Sequence, residues 1–136
     1  MRDWKRQLFE RYVSSGQARG NADDLRELSA ADYPYFRQVI QRQVPNSRDL
    51  ALADVACGHG ALVHCLKQAG FANVKGVDVS PEQIQLAHRL GVAEAQCGEL
   101  SGFLQANEGA FDVIFLMDIL EHLDREELFD ALRLLH

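Results

Sequence analysis

The sequence predicts an α/β fold: a Rossmann-like, doubly wound parallel sheet, preceded by N-terminal helices. Three observations carry that expectation. Apolar runs at 50–55, 74–79, 92–97 and 111–117 alternate with segments of helical spacing, and strands alternating with helices build a parallel sheet. The last run is apolar from Val113 to Met117, as expected of a strand covered on both faces. The first run closes on Asp54-Val55-Ala56-Cys57-Gly58-His59-Gly60. There an acid and two glycines turn a strand into a helix, and bare backbone N–H groups can approach a ligand at the helix N-terminus.

The elements follow in order. Residues 2–14 read as a helix, with Trp4, Leu8 and Tyr12 recurring every fourth position. That stripe suits a packed lid helix better than a membrane-surface helix, because Asp3 and Glu10 interrupt it. Ser14 to Asn21 is a polar connector. A second helix runs from Tyr33 or Pro34 to Gln43 and ends at Val44-Pro45-Asn46. Residues 1–48 are therefore read as a helical lid or extension, and 49–136 as the ligand-binding part.

Leu50 to Val55 is the first strand, and Ala61 to Gln68 a helix stopped by Gly70. Val74 to Val79 is the second strand. Ser80-Pro81-Glu82 opens the next helix with a capping hydroxyl and a proline in the first turn. That helix ends near Leu90-Gly91. Val92 to Cys97 is a short third strand, Glu99 to Ala106 a short helix, and Phe111 to Met117 the fourth strand. A last helix runs from Asp124 or Arg125 to Leu135.

Composition narrows the function. The chain has 136 residues, enough for one domain with a core. A net charge of −6 argues against nucleic acid as the main partner. The longest apolar run is far shorter than the ~20 residues of a membrane helix. No apolar signal core follows the basic start, so a cytoplasmic protein is expected. Cys57, Cys65 and Cys97 are odd in number and unpaired in spacing, which suits reduced thiols. His59 and His64 beside Cys57 and Cys65 lack zinc-ligand spacing, so no metal is expected.

Two ligands compete for the glycine loop. A dinucleotide site requires Gly-x-Gly-x-x-Gly, but Val63 stands where the third glycine belongs. Asp54 would repel a pyrophosphate and would suit a cationic ligand such as S-adenosylmethionine, which has a sulfonium, an ammonium and no phosphate. Asp78, 18 residues beyond Gly60 at the end of the second strand, can accept from both ribose hydroxyls. Glu99, after the third strand, can take an adenine amino group.

With Phe111-Asp112-Val113-Ile114 and Leu120-Glu121-His122-Leu123, these segments resemble the class I S-adenosylmethionine-dependent methyltransferases of the small-molecule type. The resemblance spans 50–135, and Ala56 replaces the family's usual first glycine. It implies S-adenosylmethionine as cofactor and a small-molecule methyl acceptor. Asp54 would hold the methionine ammonium, directly or through water, with Gly58 and Gly60 along its backbone. Asp78 would bind the ribose, Val79 would pack on adenine, Glu99 and Leu100 would meet its ring edge, and Met117 and Asp118 would flank the sulfonium.

Several expectations remain alternatives. Asp118, Glu121 and His122 would share one face if that segment were helical. They then offer a general base or a carboxylate site for a cation, or merely a solvated acidic helix start; His122 is a weak candidate base. The family's fold carries seven strands, so the resemblance implies the spatial order 3-2-1-4 and a chain truncated after the fourth. Strand 4 would be an open edge inviting self-association. The chain would then be part of a methyltransferase; the alternative is a non-catalytic S-adenosylmethionine-binding or assembly module.

Overall fold

The computed structural model describes residues 3–11, 13–14 and 25–135. Helices α1 (Asp3–Glu10) and α2 (Leu25–Gln43) precede strand β1 (Ala51–Val55) and helix α3 (Ala61–Gln68). Strand β2 (Asn73–Asp78), helix α4 (Pro81–Arg89), strand β3 (Ala95–Cys97) and helix α5 (Leu100–Ala106) come next. Strand β4 (Val113–Phe115), a 3₁₀ turn at Leu120–His122 and helix α6 (Arg125–Leu134) complete the described part.

The four strands form one parallel sheet in the order β3-β2-β1-β4, as the resemblance implies. Leu52 pairs with Val74 on one side and Val113 on the other, and Asp54 lies between Gly76 and Phe115. Asp112 sets the entry of β4: its Oδ2 accepts from the Ala51 N–H at 2.8 Å, while its own N–H donates to the Ala51 carbonyl. The acid of the Phe-Asp-Val-Ile segment thus pins two strands together, at the end of the sheet remote from the glycine loop.

Alternation along β1 divides the core in two. Leu52 faces a layer of Val63 and Leu66 from α3, Ile84 and Ala87 from α4, and Phe71, with Phe36, Val39 and Ile40 of α2 packed against it. Ala53 and Val55 face Phe103 and Leu104 of α5, with Leu134 of α6 beside them. Sealing a side chain such as Leu66 or Phe71 contributes on the order of 1.5–3 kcal/mol. Both layers hold β1 rigidly and fix where its C-terminal loop emerges.

Local chemistry sets the helix ends. Ser80 caps α4 by accepting from the Gln83 N–H, and Pro81 occupies the first turn. Asp124 and Glu127 form a reciprocal capping box at the start of α6. Gly60 is the N-cap of α3 with φ +83°, and a Cβ there would come 2.8 Å from Val92 Cγ1. A side chain at Gly76 would meet Cys57 Sγ and Val63 Cγ2 at 2.9 Å, so the loop can cross β2 only over a glycine.

Some boundaries differ from the sequence expectation. β3 is confined to Ala95–Cys97, because Val92 instead closes α4, donating its N–H to the Ala87 carbonyl and burying its side chain. β4 spans only Val113–Phe115, matching the three β1 residues that pair with it. α2 begins at Leu25 and carries Pro34 inside it, so that proline does not mark its start. Within the expected Trp4–Leu8–Tyr12 stripe, Trp4 is exposed and Tyr12 lies outside the described residues. No helix among the described residues is long and apolar enough to cross a membrane.

Candidate functional site

The loops leaving the C-terminal ends of all four strands, together with Phe9 of α1, wall a cavity of about 440 Å³. Ligands of open α/β sheets bind at that end, and the volume falls within the ~300–1,000 Å³ of small-molecule sites.

The β1–α3 loop forms the floor. Three of its residues adopt left-handed backbone: Ala56 (φ +65°), Gly58 (φ +56°) and Gly60. An alanine in that region is strained by about 1 kcal/mol, and it stands where the family resemblance expects glycine. The Cys57 N–H donates to the Val77 carbonyl at 3.0 Å, which ties the loop to β2.

Asp78 organises the next wall. Its Oδ2 accepts from the Gly58 N–H and its Oδ1 from the Ser80 N–H, both at 2.8 Å. One carboxylate thereby joins the glycine loop to the cap of α4 and keeps a free lone pair on each oxygen. Burial nevertheless pushes its pKa upward, against the lowering effect of those two bonds.

Asp54 sits deeper. It is 3% exposed, and burial together with the neighbouring Asp78 pushes its pKa up to about 8. At neutral pH the ligand-free protein therefore holds Asp54 largely protonated. Burial and the same two carboxylates also push the Cys57 thiol far up, so it is no nucleophile.

Most residues singled out from the sequence meet at this cavity. Ala56, Gly58, Asp78 and Val79 line it, as do Glu99, Leu100, Met117 and Asp118. His122 also reaches it, from an exposed position on the 3₁₀ turn. Asp54 and Gly60 are not on its wall; both are buried behind the loop. Asp118 has φ +54° and precedes the turn, so Asp118, Glu121 and His122 do not form one helical face.

Sequence reasoning missed Phe9, Gln83, Glu127 and Asp130, all on the wall. Phe9 neighbours the stripe residue Leu8, and Glu127 and Asp130 are three apart on α6, a spacing that places them on one face. Counting three residues on from the Ser80 cap would have found Gln83.

The charge on this wall has one sign. Asp78, Glu99, Asp118, Glu127 and Asp130 contribute carboxyl groups, and no Lys or Arg lines the cavity among the described residues. No group of three metal-ligating side chains occurs among them either. α1 contributes Phe9 to the cavity wall, and the chain that follows it is tied to α4, where the Val13 and Ser14 N–H groups both donate to Glu82 Oε2 at 2.9 Å. Those bonds hold the Glu82 pKa below its ordinary value.

The described residues thus combine a Rossmann-like parallel sheet with a glycine loop that opens onto a cavity holding five acidic side chains. Comparison with known proteins identifies the family. Residues 52–136 match the methyltransferase domain family, and the chain belongs to it. The family uses S-adenosylmethionine. The ubiquinone biosynthesis O-methyltransferase of Neisseria meningitidis is 32% identical over 82 residues, covering 55% of this chain and 34% of that protein. The norajmaline N-methyltransferase of Rauvolfia serpentina is 32% identical over 94 residues, 62% of this chain and 31% of the enzyme. The chain thus spans about a third of the length of these curated relatives. Magnesium protoporphyrin IX methyltransferase from Synechocystis shares the fold, with a TM-score of 0.67 at 20% identity, over 99% of this chain and 71% of that structure.

The burial of Asp54 makes a stability prediction. Its ordinary pKa is 3.8 and its folded value is about 8. A raised folded pKa favours the folded state fully below pH 4, and that contribution is lost as pH climbs towards 8. Asp54→Asn removes the titration. The unfolding free energy of the variant relative to the parent, measured by urea denaturation, should rise by up to about 1.4 kcal/mol per unit between pH 4 and 8. Parallel pH curves for the two proteins would refute the assignment.

Proposed function

We propose that this chain holds S-adenosylmethionine and serves methyl transfer to a small-molecule acceptor. One observation carries the reading: the glycine loop opens onto a wall of carboxyl groups without a Lys or Arg among the described residues. Such a wall disfavours phosphorylated cofactors and favours a ligand bearing a sulfonium and an ammonium. The related proteins named above are O- and N-methyltransferases, which supports a small acceptor.

The residues fit that cofactor. Gly58 offers close backbone approach, and Asp78 keeps a lone pair for a ribose hydroxyl. Val79 and Leu100 give the adenine an apolar slot, with Glu99 at its edge. Met117 and Asp118 lie on the same wall for the sulfonium end. Ala56 and Gly60 shape the loop, and Asp54, protonated behind it in the ligand-free protein, ionises as the cation binds.

When bound, S-adenosylmethionine supplies a methyl carbon on positively charged sulfur. The chain's part is to orient that carbon, exclude water with the α1 lid and hold the acceptor in line. His122, on the same wall, is the candidate to receive the acceptor's proton. A reducing, cytoplasmic setting accords with three cysteines that form no disulfide.

Isothermal titration with S-adenosylhomocysteine tests this function. The protein should bind it in preference to nicotinamide dinucleotides, and Asp78→Asn should weaken binding at least about tenfold, as expected when charge-assisted bonds are lost. A dinucleotide bound more tightly, or no adenosyl ligand bound at all, would overturn the proposal.

β4 is the sheet edge, and α6 exposes Phe129 and Leu132. We infer that the chain self-associates through this edge, since an unpaired strand and exposed apolar side chains favour pairing. Light scattering should show a dimer or larger at micromolar concentration. A strict monomer there rules the idea out.

A further inference from the structure

Gln83 sits in the first turn of α4, its backbone fixed by the bond from its N–H to Ser80 Oγ. A glutamine so near a helix start usually points into water. Here the residue is only 6% exposed and its side chain folds inward. Both Cδ and Oε1 lie 3.9 Å from the point where a Cβ on Gly58 would stand. The amide therefore covers the glycine loop from above, and Gln83 and Gly58 line the same cavity. Its Oε1 is buried and has no hydrogen-bond partner.

An unpaired buried amide oxygen destabilises a fold, and native structures rarely keep one. A methionine of similar length would fill the same space without that cost. The packing alone gives no reason for an amide, whereas a ligand carrying a donor gives one.

The neighbours identify the donor. Asp78 binds the Gly58 N–H with one oxygen and the Ser80 N–H with the other. Gln83 borders the same two residues, through its side chain at Gly58 and its own N–H at Ser80. A charged and a neutral acceptor thus bracket one stretch of backbone. A methionine ammonium would go to the carboxylates, and a phosphate brings no donor. A vicinal diol brings two donors side by side, one for each acceptor.

We propose that Gln83 is a further residue of the cofactor site, its side-chain oxygen accepting a hydrogen bond from one ribose hydroxyl of the adenosyl ligand while Asp78 takes the other. The inference rests on the cofactor proposed above. Because Oε1 is covered in the ligand-free protein, binding turns the amide about its last torsion, which is soft in glutamine. Gln83 thereby couples the β1–α3 loop, the start of α4 and the ribose.

The test is a cycle of titrations. Wild type, Gln83→Met and Gln83→Ala are titrated with S-adenosylhomocysteine and with its 2′-deoxy and 3′-deoxy analogues, and each ligand-free protein is melted to verify folding. Gln83→Met should weaken the parent ligand about tenfold. One deoxy analogue should bind wild type correspondingly more weakly, yet bind wild type and Gln83→Met alike. Ligand-free Gln83→Met should melt no lower than wild type. Unchanged affinity in both variants, or equal losses from the deoxy analogues in every protein, overturns the role of Gln83 alone. If wild type binds none of these ligands, the cofactor assignment fails and this inference with it.

Discussion

Two carboxyl groups at the ends of adjacent strands, Asp54 and Asp78, dominate this structure. Both are pushed towards the protonated state by burial, and Asp54 additionally by the charge of Asp78. Like charges held close in a poorly solvated place cannot both ionise cheaply. Asp78 is steadied by two backbone N–H groups. Asp54 is left to hold a proton until something positive arrives. The ligand-free protein thus keeps a buried, protonated carboxyl group behind a cavity whose acidic wall residues face no Lys or Arg among the described residues. On the proposed function, selection of the ligand by charge follows from this constraint.

The glycine loop adds a backbone counterpart. Ala56 takes a left-handed conformation that a glycine would adopt freely, and Gly60 cannot carry a side chain beneath Val92. Strain of this kind persists only where surrounding structure enforces it. Here the enforcement comes from the Cys57 bond to Val77, from Asp78 holding the Gly58 N–H, and from the two packed layers around β1. The Glu82 bonds to Val13 and Ser14 attach the N-terminal segment to the helix that carries Gln83.

Much of this was legible in the residues. The ends of α3, the Ser80 cap with Pro81 and the Asp124 start of α6 follow from local chemistry that needs no partner, and the structure keeps them. The parallel sheet was readable from the alternation of apolar runs, and the strand order 3-2-1-4 from the family resemblance. Strand lengths were not, because β3 and β4 extend only as far as a neighbour pairs with them. The site was legible where its residues follow strand ends, as Asp78, Glu99 and Met117 do. Phe9, Gln83 and Glu127 reach the wall from helices. Spacing sets Gln83 three residues past its cap and Glu127 on one face with Asp130, but which face meets the cavity is fixed by packing between distant segments. The depth of Asp54 was hidden too: an acid at a strand end reads as charged, whereas two packed layers make it neutral.

Proton release on binding probes this account most directly. S-adenosylmethionine would be titrated calorimetrically near pH 7 in buffers of different ionisation enthalpy, and the apparent heats compared. If the incoming cation ionises Asp54, about one proton leaves per ligand bound, and Asp54→Asn abolishes the release. Heats independent of the buffer, with S-adenosylmethionine bound, would contradict the claim that a buried carboxyl group answers the charge of the ligand.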